Sequence, residues 1–396
     1  MTSDWKECII GDICNSVSET YKGNDEQVVL INTSDVLEGA ILNHSKVDNK
    51  NLKGQFKKTF KKNDILYSEI RPANKRFAFV NIEDTHNYIA STKLMVIRPD
   101  IDKVLPEYLY MLLKSQSLID ELQHLAETRS GTFPQITFSS ELSQMEINLP
   151  PLETQRKIAR VLGAIDDKIV LNNSINKNLE QQAQAIYSNF IDNCENKIIK
   201  VSDIIATANT GADAIQKAPI VDYDTGVKCI RVGDMSNNRD IYQWGYSKVT
   251  DDVFTQYQLK KDDILVTRTA TLGLNRLITS DLNAVYNNGL IRLTVDKLKI
   301  LPLILYRQFQ TQDFFNFISR IESETSVRPN MKINYLLSYE FKCPDIDKQK
   351  ELVDLITPIM NIKELNIQEN NNLTQLRDTL LPKLMNGEID VDKVEV

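Results

Sequence analysis

Residues 149–158 read LPPLETQRKI and open a stretch in which apolar residues recur at heptad spacing as far as Ile191. A fainter copy, CPDIDKQKEL at residues 343–352, opens a second stretch of the same kind. Prolines followed by a patterned apolar run indicate the start of a helix. We therefore expect two long helices, each of which begins directly after a segment of domain size.

A second pair of matching segments lies inside those domain-sized regions. Residues 61–66 read KKNDIL, and residues 260–265 read KKDDIL. The copies lie about half a chain apart, whereas solenoid repeats run roughly 20 to 50 residues. The repeating element is therefore a whole domain with its connector. Two similar modules in one chain indicate a protein that binds two similar targets at a fixed separation.

The composition is that of a globular protein. The chain has 396 residues, of which 42% are hydrophobic and 26% are charged, which is enough for two or more domains of roughly 100–200 residues. We expect no signal peptide, because no basic segment and apolar run follow Met1. We expect no membrane span, because no stretch approaches about 18 apolar residues. Five scattered cysteines favour free thiols in a reducing cytoplasm.

Each module combines short strands with a late helical region. Module 1 covers residues 1–149 and module 2 covers residues 194–343. We expect strands at 28–31, 65–67, 77–80 and 94–97 and a helix at 106–125 in module 1, and strands at 229–232, 264–266 and 290–293 and a helix at 301–321 in module 2. This order is typical of the α+β class.

The two long helices occupy the connectors, residues 150–193 and 344–391, with bodies at 152–191 and 348–384. The lines of residues at heptad spacing are Ile158, Ile165, Asn172, Leu179, Ile186 and Leu162, Ile169, Asn176, Ala183, Phe190 in the first helix, and Leu352, Ile359, Asn366, Leu373, Leu380 and Leu355, Ile362, Glu369, Leu376 in the second. The middle layer is polar in both helices. We predict an antiparallel coiled coil with Asn opposite Asn, because a buried Asn layer fixes register. The modules would then be related by a pseudo-two-fold axis. We also expect Pro358 to kink the second helix. The alternative to a coiled coil is that each long helix packs only on its own module.

Catalytic signatures are missing from the sequence. It contains no G-x-x-x-x-G-K-[ST] phosphate loop, no G-x-G-x-x-G and no G-x-S-x-G turn. The three histidines all lie in module 1, which excludes a duplicated histidine-dependent site. Asn148–Pro151 is similar to the turn with which amino-methyltransferases hold a DNA base, but Leu149 interrupts it, and a helix-starting turn is the better interpretation. We expect no catalytic residue, cofactor or metal in this chain.

A lysine-rich segment is the strongest functional signal. The net charge of −7 argues against a nucleic-acid partner, but phosphate contacts depend on a local face rather than on the total. Residues 50–76 contain nine basic residues against only Asp64 and Glu69. The alternative is a solvated lysine-rich face. Against it, an arginine-bearing loop recurs after the same strand in module 2.

Two loops in each module carry residue types suited to DNA. Lysines neutralise phosphates, while arginine and asparagine make bidentate contacts with guanine and adenine. For the second loop the alternative is an ordinary exposed turn. The candidates in module 1 are Lys53, Lys57, Lys58, Lys61, Lys62, Tyr67, Ser68, Arg71, Asn74, Lys75 and Arg76 in the first loop region and Arg129, Ser130, Thr132 and Gln135 in the second. The candidates in module 2 are Arg231, Thr267, Arg268, Thr269, Asn275, Arg276, Arg328, Asn330 and Lys332.

The layout as a whole resembles the specificity subunit of type I restriction-modification enzymes. The residues that carry the resemblance are 149–169, the KDDIL strand at 261–265 and the C-terminal LLPKLMNGEI at 380–389. The likeness extends over essentially the whole chain. The second helix entry departs from the first, since it lacks the second proline and the glutamate.

The resemblance implies that the modules are target-recognition domains, each reading half of a bipartite, asymmetric site in double-stranded DNA. It implies that the two helices set the spacer between the half-sites and dock two methyltransferase subunits, which restriction translocase subunits then join. The chain itself would be a non-catalytic, cytoplasmic subunit, and S-adenosylmethionine and ATP would bind to the partners.

Two other interpretations remain open from the residues alone. One is a duplicated protein-interaction scaffold that binds no DNA, which the salt dependence of duplex binding would distinguish. The other is a self-contained modification enzyme, which would need a cofactor loop that the sequence does not contain.

Overall fold

The computed structural model describes residues 4–50, 54–129, 133–324 and 330–394. The chain divides into two compact units: unit 1 comprises Met1–Ile169 and Asn372–Val396, and unit 2 comprises Val170–Asn371. Each unit therefore holds one module and a portion of each long helix.

Unit 1 begins with module 1. Its strands are β1 (Lys6–Ile9), β2 (Cys14–Val17), β3 (Gln27–Ile31), β4 (Val36–Leu37), β5 (Ala40–Ile41), β6 (Lys46–Asp48), β7 (Phe56–Lys58), β8 (Ile65–Ser68), β9 (Phe77–Phe79), β10 (Tyr88–Ser91), β11 (Leu94–Pro99) and β12 (Glu146–Leu149). Its helices are α1 (Pro106–Leu113), α2 (Gln116–Arg129) and the beginning of α3 (Leu152–Asp192).

Two four-stranded sheets form the body of module 1, in the orders β2-β11-β8-β9 and β6-β3-β10-β7. Strand β8 is buried on both faces: Ile65 and Tyr67 face the helices α1 and α2, and Leu66 faces the cluster around the second sheet. This explains the continuous apolar run that follows KKNDIL.

Unit 2 repeats this plan. Its strands are β13 (Lys197–Lys200), β14 (Ile205–Thr210), β15 (Ile220–Val221), β16 (Lys228–Ile230), β17 (Gly245–Ser247), β18 (Ile264–Thr267), β19 (Asn275–Leu277), β20 (Ala284–Tyr286), β21 (Leu290–Val295) and β22 (Glu340–Cys343). Its helices are α4 (Val201–Ile204), α5 (Val232–Ser236), α6 (Asp251–Tyr257), α7 (Pro302–Gln308), α8 (Gln312–Glu324), α9 (Ile333–Leu337) and α10 (Ile346–Met385), whose last part belongs to unit 1.

The sheet β14-β21-β18-β19 of unit 2 matches the sheet β2-β11-β8-β9 of unit 1 strand for strand, with β18 in the place of β8. The second sheet, β15-β17-β16-β20, also contains one parallel pair, β16 with β20, as unit 1 does with β3 and β10, but its fourth strand lies at the other end of the sheet. Each unit also has a two-stranded sheet that joins the start of the module to its last strand, β1-β12 and β13-β22. The α+β class with two similar modules is confirmed.

The KKNDIL and KKDDIL motifs form the same turn. Asn63 and Asp262 adopt left-handed backbone conformations, with φ of 71° and 76°. The next residue in each copy, Asp64 or Asp263, is buried and accepts a hydrogen bond from a backbone N–H three residues earlier, at 2.9 Å in both cases. The repeated motif is therefore a turn that positions the central strand of each module.

Three expected elements differ from the structure. The helix expected at 106–125 is interrupted at Lys114–Ser115, and the helix expected at 301–321 is interrupted after Gln308. In both regions the helices before and after the break bury their apolar residues in the same hydrophobic cluster. The apolar spacing in the sequence therefore continues across the break. The strand expected at 229–232 ends at Ile230, because the carboxylate of Asp234 accepts a hydrogen bond from the Arg231 N–H and begins a short helix.

In unit 2 the two long helices pack antiparallel through polar side chains. Asn366 donates to the side-chain oxygen of Asn176 at 2.8 Å. Asn172 donates to Glu369 at 2.7 Å and to Asn370 at 2.9 Å. The predicted layer of Asn opposite Asn is therefore confirmed, and α10 continues as one helix through Pro358.

One predicted line of α10 is wrong. Leu355, Ile362 and Leu376 are 56%, 47% and 48% exposed. The inner line instead lies one residue later in each heptad and includes the buried Ile356 and Leu384. It also includes the polar residues Lys363, Asn370 and Arg377, which bond to α3. A line with polar members gives a weak apolar signal, and so the sequence favours the neighbouring line, which has more apolar residues.

Within the described part of the chain, no helix is both long enough and apolar enough to span a membrane.

Candidate nucleic-acid interface

The structure brings together the two loops that the sequence singles out in module 1. Ile70 and Gln135 form an antiparallel bridge. The Arg71 N–H donates to the Pro134 carbonyl at 3.1 Å, and the Ile136 N–H donates to the Glu69 carbonyl at 2.9 Å. The loop after β8 and the segment after α2 therefore form one surface, the module 1 loop pair (69–76 and 133–136).

Module 2 has the equivalent arrangement. Thr269 and Asn330 form an antiparallel bridge, and the Met331 N–H donates to the Arg268 carbonyl at 2.8 Å. The Arg268 guanidinium Nε also donates to the Met331 carbonyl, at 3.3 Å. This is the module 2 loop pair (268–276 and 330–332).

The backbone of the first loop is held in an uncommon conformation. Arg71 and Lys75 adopt left-handed conformations, with φ of 45° and 52°, on either side of a 3-10 turn at Pro72–Asn74. The Ala73 N–H donates to the Gln123 side chain of α2 at 3.1 Å, which fixes the tip of the turn. Left-handed conformations in residues other than glycine cost energy and cluster at functional loops. In module 2, Ala270 has φ of 61°.

Three expected DNA-contacting residues lie in the interior. Tyr67, Ser68 and Thr267 are buried at the ends of the central strands. Tyr67 stacks on Phe77, with ring centroids 5.6 Å apart. Ser68 accepts a hydrogen bond from the Ile70 N–H at 3.0 Å. These side chains pack in the interior next to the loops and do not reach the surface.

Other candidates are engaged in structural contacts. Lys58 donates to two backbone carbonyls, at 2.8 and 3.1 Å, and burial lowers its pKa. Lys62 pairs with Glu83, and Arg129 pairs with Glu141 at 2.7 Å. The amide nitrogen of Asn275 donates to two backbone carbonyls, at 2.9 and 3.0 Å. These residues hold the fold around the loops.

One arginine of each loop pair contacts a further surface segment. Arg76 donates to the Ser34 carbonyl at 3.0 Å, in the turn after β3. Arg276 donates to the Arg239 carbonyl at 2.5 Å, in the segment after α5. Arg231, at the start of α5, is half-buried. The turn after β3 and the segment after α5 therefore adjoin the loop pairs.

The remaining candidates lie at least partly on the surface. They are Lys57, Lys61, Arg71, Asn74, Lys75 and Gln135 in module 1 and Arg268, Thr269, Asn330 and Lys332 in module 2. Lys53, Ser130, Thr132 and Arg328 lie outside the described residues. Lys93 was missed because it stands outside the lysine run. It donates to Gln135 at 3.0 Å and pairs with Glu69 at 3.3 Å, at the edge of the module 1 loop pair.

No group of three or more His, Cys, Asp or Glu side chains that could hold a metal ion is found among the residues that the structure describes. The loop pairs offer cations and amides, which suit phosphates and base edges.

Comparison with known proteins matches both halves of the chain. The family model described as Type I restriction modification DNA specificity domain matches residues 2–181 and 195–375. The type I restriction enzyme HindI specificity subunit of Haemophilus influenzae is 32% identical over 473 residues, covering 98% of this chain and 100% of that protein. The type I restriction enzyme MjaVIII specificity subunit of Methanocaldococcus jannaschii is 23% identical over 277 residues, covering 62% and 63% of the two chains.

A solved structure has the same fold. The crystal structure of the type I restriction-modification system S subunit from M. genitalium superposes with a TM-score of 0.53 at 17% sequence identity, covering 96% of each chain. At that identity the likeness concerns the fold alone.

Proposed function

This chain belongs to the type I restriction-modification DNA specificity family, and we propose on that basis that each module reads one half of a bipartite, asymmetric DNA site. It is the specificity subunit of such a system and is not a catalyst. Methylation and cleavage are then carried out by partner subunits, which bind S-adenosylmethionine and ATP. We place the assembly in the cytoplasm, where the DNA is.

The observation that carries the proposal is the pairing of two loops on the same edge of each module. In module 1 the Arg71 N–H reaches the Pro134 carbonyl, and in module 2 the Met331 N–H reaches the Arg268 carbonyl. The scaffold beneath the loops is the same in both modules. The loop sequences differ, RPANKR at 71–76 against RTATLG at 268–273, and so the two half-sites differ.

The residue types on the surface of module 1 divide into two roles. Lys57, Lys61 and Lys93 are suited to phosphate contacts, which give salt-dependent affinity without sequence information. Arg71 and Asn74 are exposed on the strained turn, and they are the side chains suited to reading guanine and adenine edges.

The two long helices are proposed to set the spacer. Two readers on one face of B-DNA must lie about 34–36 Å apart, or at multiples of that distance. A helix of about 40 residues is about 60 Å long, and the Asn176–Asn366 hydrogen bond fixes its register against its partner helix.

The outer face of α10 is proposed to dock a methyltransferase subunit. In unit 2, Leu355, Ile362 and Leu365 follow helical spacing and are 56%, 47% and 62% exposed. An exposed apolar stripe with polar neighbours is typical of a protein–protein contact. We propose two methyltransferase subunits in the complex, to which restriction translocase subunits are added.

Mapping of methylated adenines tests the function in the cell. A bipartite motif that is methylated in the parent strain and unmethylated when this chain is deleted is the expected result. Methylation that is unchanged by the deletion would contradict the proposal.

Salt-dependent duplex binding separates this proposal from a scaffold that binds no DNA. The logarithm of the binding constant should fall linearly with the logarithm of salt concentration, and Lys57→Ala should reduce the slope by about 1. Lys177→Ala, at an exposed position on α3, is the control and should leave the slope unchanged. The absence of duplex binding at every salt concentration would favour the scaffold.

A further inference from the structure

Phe133 is an exposed aromatic residue in the module 1 loop pair. It is 57% exposed, and no other Phe, Tyr or Trp is exposed to this degree among the residues of unit 1 that the structure describes. Single exposed apolar residues occur on all proteins, and so the position of Phe133 decides whether it has a role.

The position is fixed by its neighbour. Pro134 is buried, and its carbonyl accepts the hydrogen bond from the Arg71 N–H at 3.1 Å. The residue before a proline is confined to extended backbone conformations. The Phe133 backbone is therefore anchored through Pro134 to the strained arginine turn.

The exposed side chains of the module 1 loop pair and its edge are mainly cationic and polar. Arg71 and Asn74 are exposed on the neighbouring turn, and Lys93 and Gln135 lie at the same edge. A protein partner that docks through apolar surface would meet these charges. A duplex suits both kinds of residue, because its phosphates attract cations and an apolar ring can enter between two bases when the step is opened.

We propose that Phe133 inserts its ring between adjacent bases of the half-site read by module 1. The inference rests on the proposed DNA-reading function and assigns to this residue the opening of a base step. Phe133 adds affinity through stacking, whereas the surface lysines of module 1 add it through phosphates.

The test uses the full chain with its co-purified partners and a duplex that contains the motif found by methylation mapping. The variants are Phe133→Ala and Phe133→Trp. The control is Ile101→Ala, since Ile101 is 69% exposed in the same unit, outside the loop pair. Dissociation constants are measured at several salt concentrations. In a second series, 2-aminopurine replaces each adenine of the half-site in turn, because its fluorescence rises when a base is unstacked.

Phe133→Ala is expected to raise the dissociation constant about 10- to 100-fold, the usual range for loss of one aromatic–base stack. The salt slope should not change, because no phosphate contact is lost. One 2-aminopurine position should brighten with the wild type and with Phe133→Trp, but not with saturating Phe133→Ala. Ile101→Ala should behave as the wild type.

Two results would overturn the inference. One is a Phe133→Ala variant that binds within twofold of the wild type. The other is weaker binding without any 2-aminopurine position that depends on the ring, which would indicate a surface contact such as one with a thymine methyl group. A wild type that shows no salt-dependent binding would instead overturn the proposed function itself.

Discussion

Gln155 and Gln349 make equivalent hydrogen bonds at the starts of α3 and α10. Each side-chain oxygen accepts from the backbone N–H of the residue before a proline-started helix, Leu105 at 2.9 Å and Leu301 at 2.8 Å. Each amide nitrogen donates to the carbonyl of the proline five residues earlier, at 2.9 and 3.0 Å. Both side chains are buried. The glutamine of the repeated motif therefore locks each long helix to the first helix of its module's late helical region.

Gln155→Leu should destabilise unit 1 by about 3 kcal/mol, because it leaves the Leu105 N–H and two carbonyls without their partner. The measurement is the urea unfolding midpoint of the full chain. Gln182→Leu makes the same change at an exposed position of α3 and should have an effect below about 0.5 kcal/mol. Equal effects of the two substitutions would contradict the role of Gln155.

The Asn layer is expected to contribute specificity rather than stability. Asn176→Leu leaves the Asn366 amide without its 2.8 Å partner and should cost about 1–2 kcal/mol. The double variant Asn176→Leu/Asn366→Leu removes both polar groups and should regain that loss or exceed the wild type. Thermal unfolding of the wild type, both single variants and the double variant completes the cycle. Additive losses would show that the pair is not coupled.

Glu180 links module 2 to both long helices. It accepts from the fully buried Arg307 at 2.6 Å and from Lys363 at 2.6 Å. Burial by itself would raise the pKa of Glu180, but the charges of Lys363 and Arg307 outweigh it, and the pKa lies below its ordinary value of 4.5. A lowered folded-state pKa gives stability that is fully present above pH 4.5 and is lost as the pH falls through the folded-state pKa.

Glu180→Gln should therefore cost about 3–5 kcal/mol at pH 7, because it leaves a buried cation uncompensated. The difference from the wild type should shrink as the pH falls below 4.5. Denaturant unfolding at a series of pH values measures both effects. Glu351→Gln, at an exposed pair with Lys348, should change stability by less than about 1 kcal/mol. A difference that is constant across the pH range would refute the ionised pair.

The sequence reveals the parts of the fold that repeat and have a simple period. Heptad spacing predicts α3 and α10 and a middle layer with Asn opposite Asn, which the structure forms with Asn176 and Asn366. It cannot identify the second inner line of α10, because Lys363 and Arg377 there are held by carboxylates of α3 rather than by apolar contact.

Side-chain orientation in the candidate site could not be predicted either. Tyr67 and Thr267 belong to continuous apolar runs that are buried on both faces, and so alternation does not reveal their burial. Arg71 lies close to Pro134 because two segments more than sixty residues apart in the sequence pair with each other, and no local sequence pattern predicts such a pairing.

A matched deletion of one heptad from each long helix tests the spacer proposal. Residues 170–176 and 366–372 contain both partners of the Asn176–Asn366 bond, and their removal leaves the Glu180–Lys363 and Asp166–Arg377 pairs intact. Seven helical residues rise about 10 Å, which equals about three base pairs at 3.4 Å per step. The variant should therefore methylate sites whose spacer is shorter by up to about three base pairs, while both half-sites stay the same.

The change in spacer length is read from the methylated motifs in the genome, and folding of the variant is checked by circular dichroism. Deletion of residues 170–176 alone is the control and should abolish methylation, because it breaks the register of the pair. A folded double-deletion variant that keeps the original spacer would show that the helices do not set it.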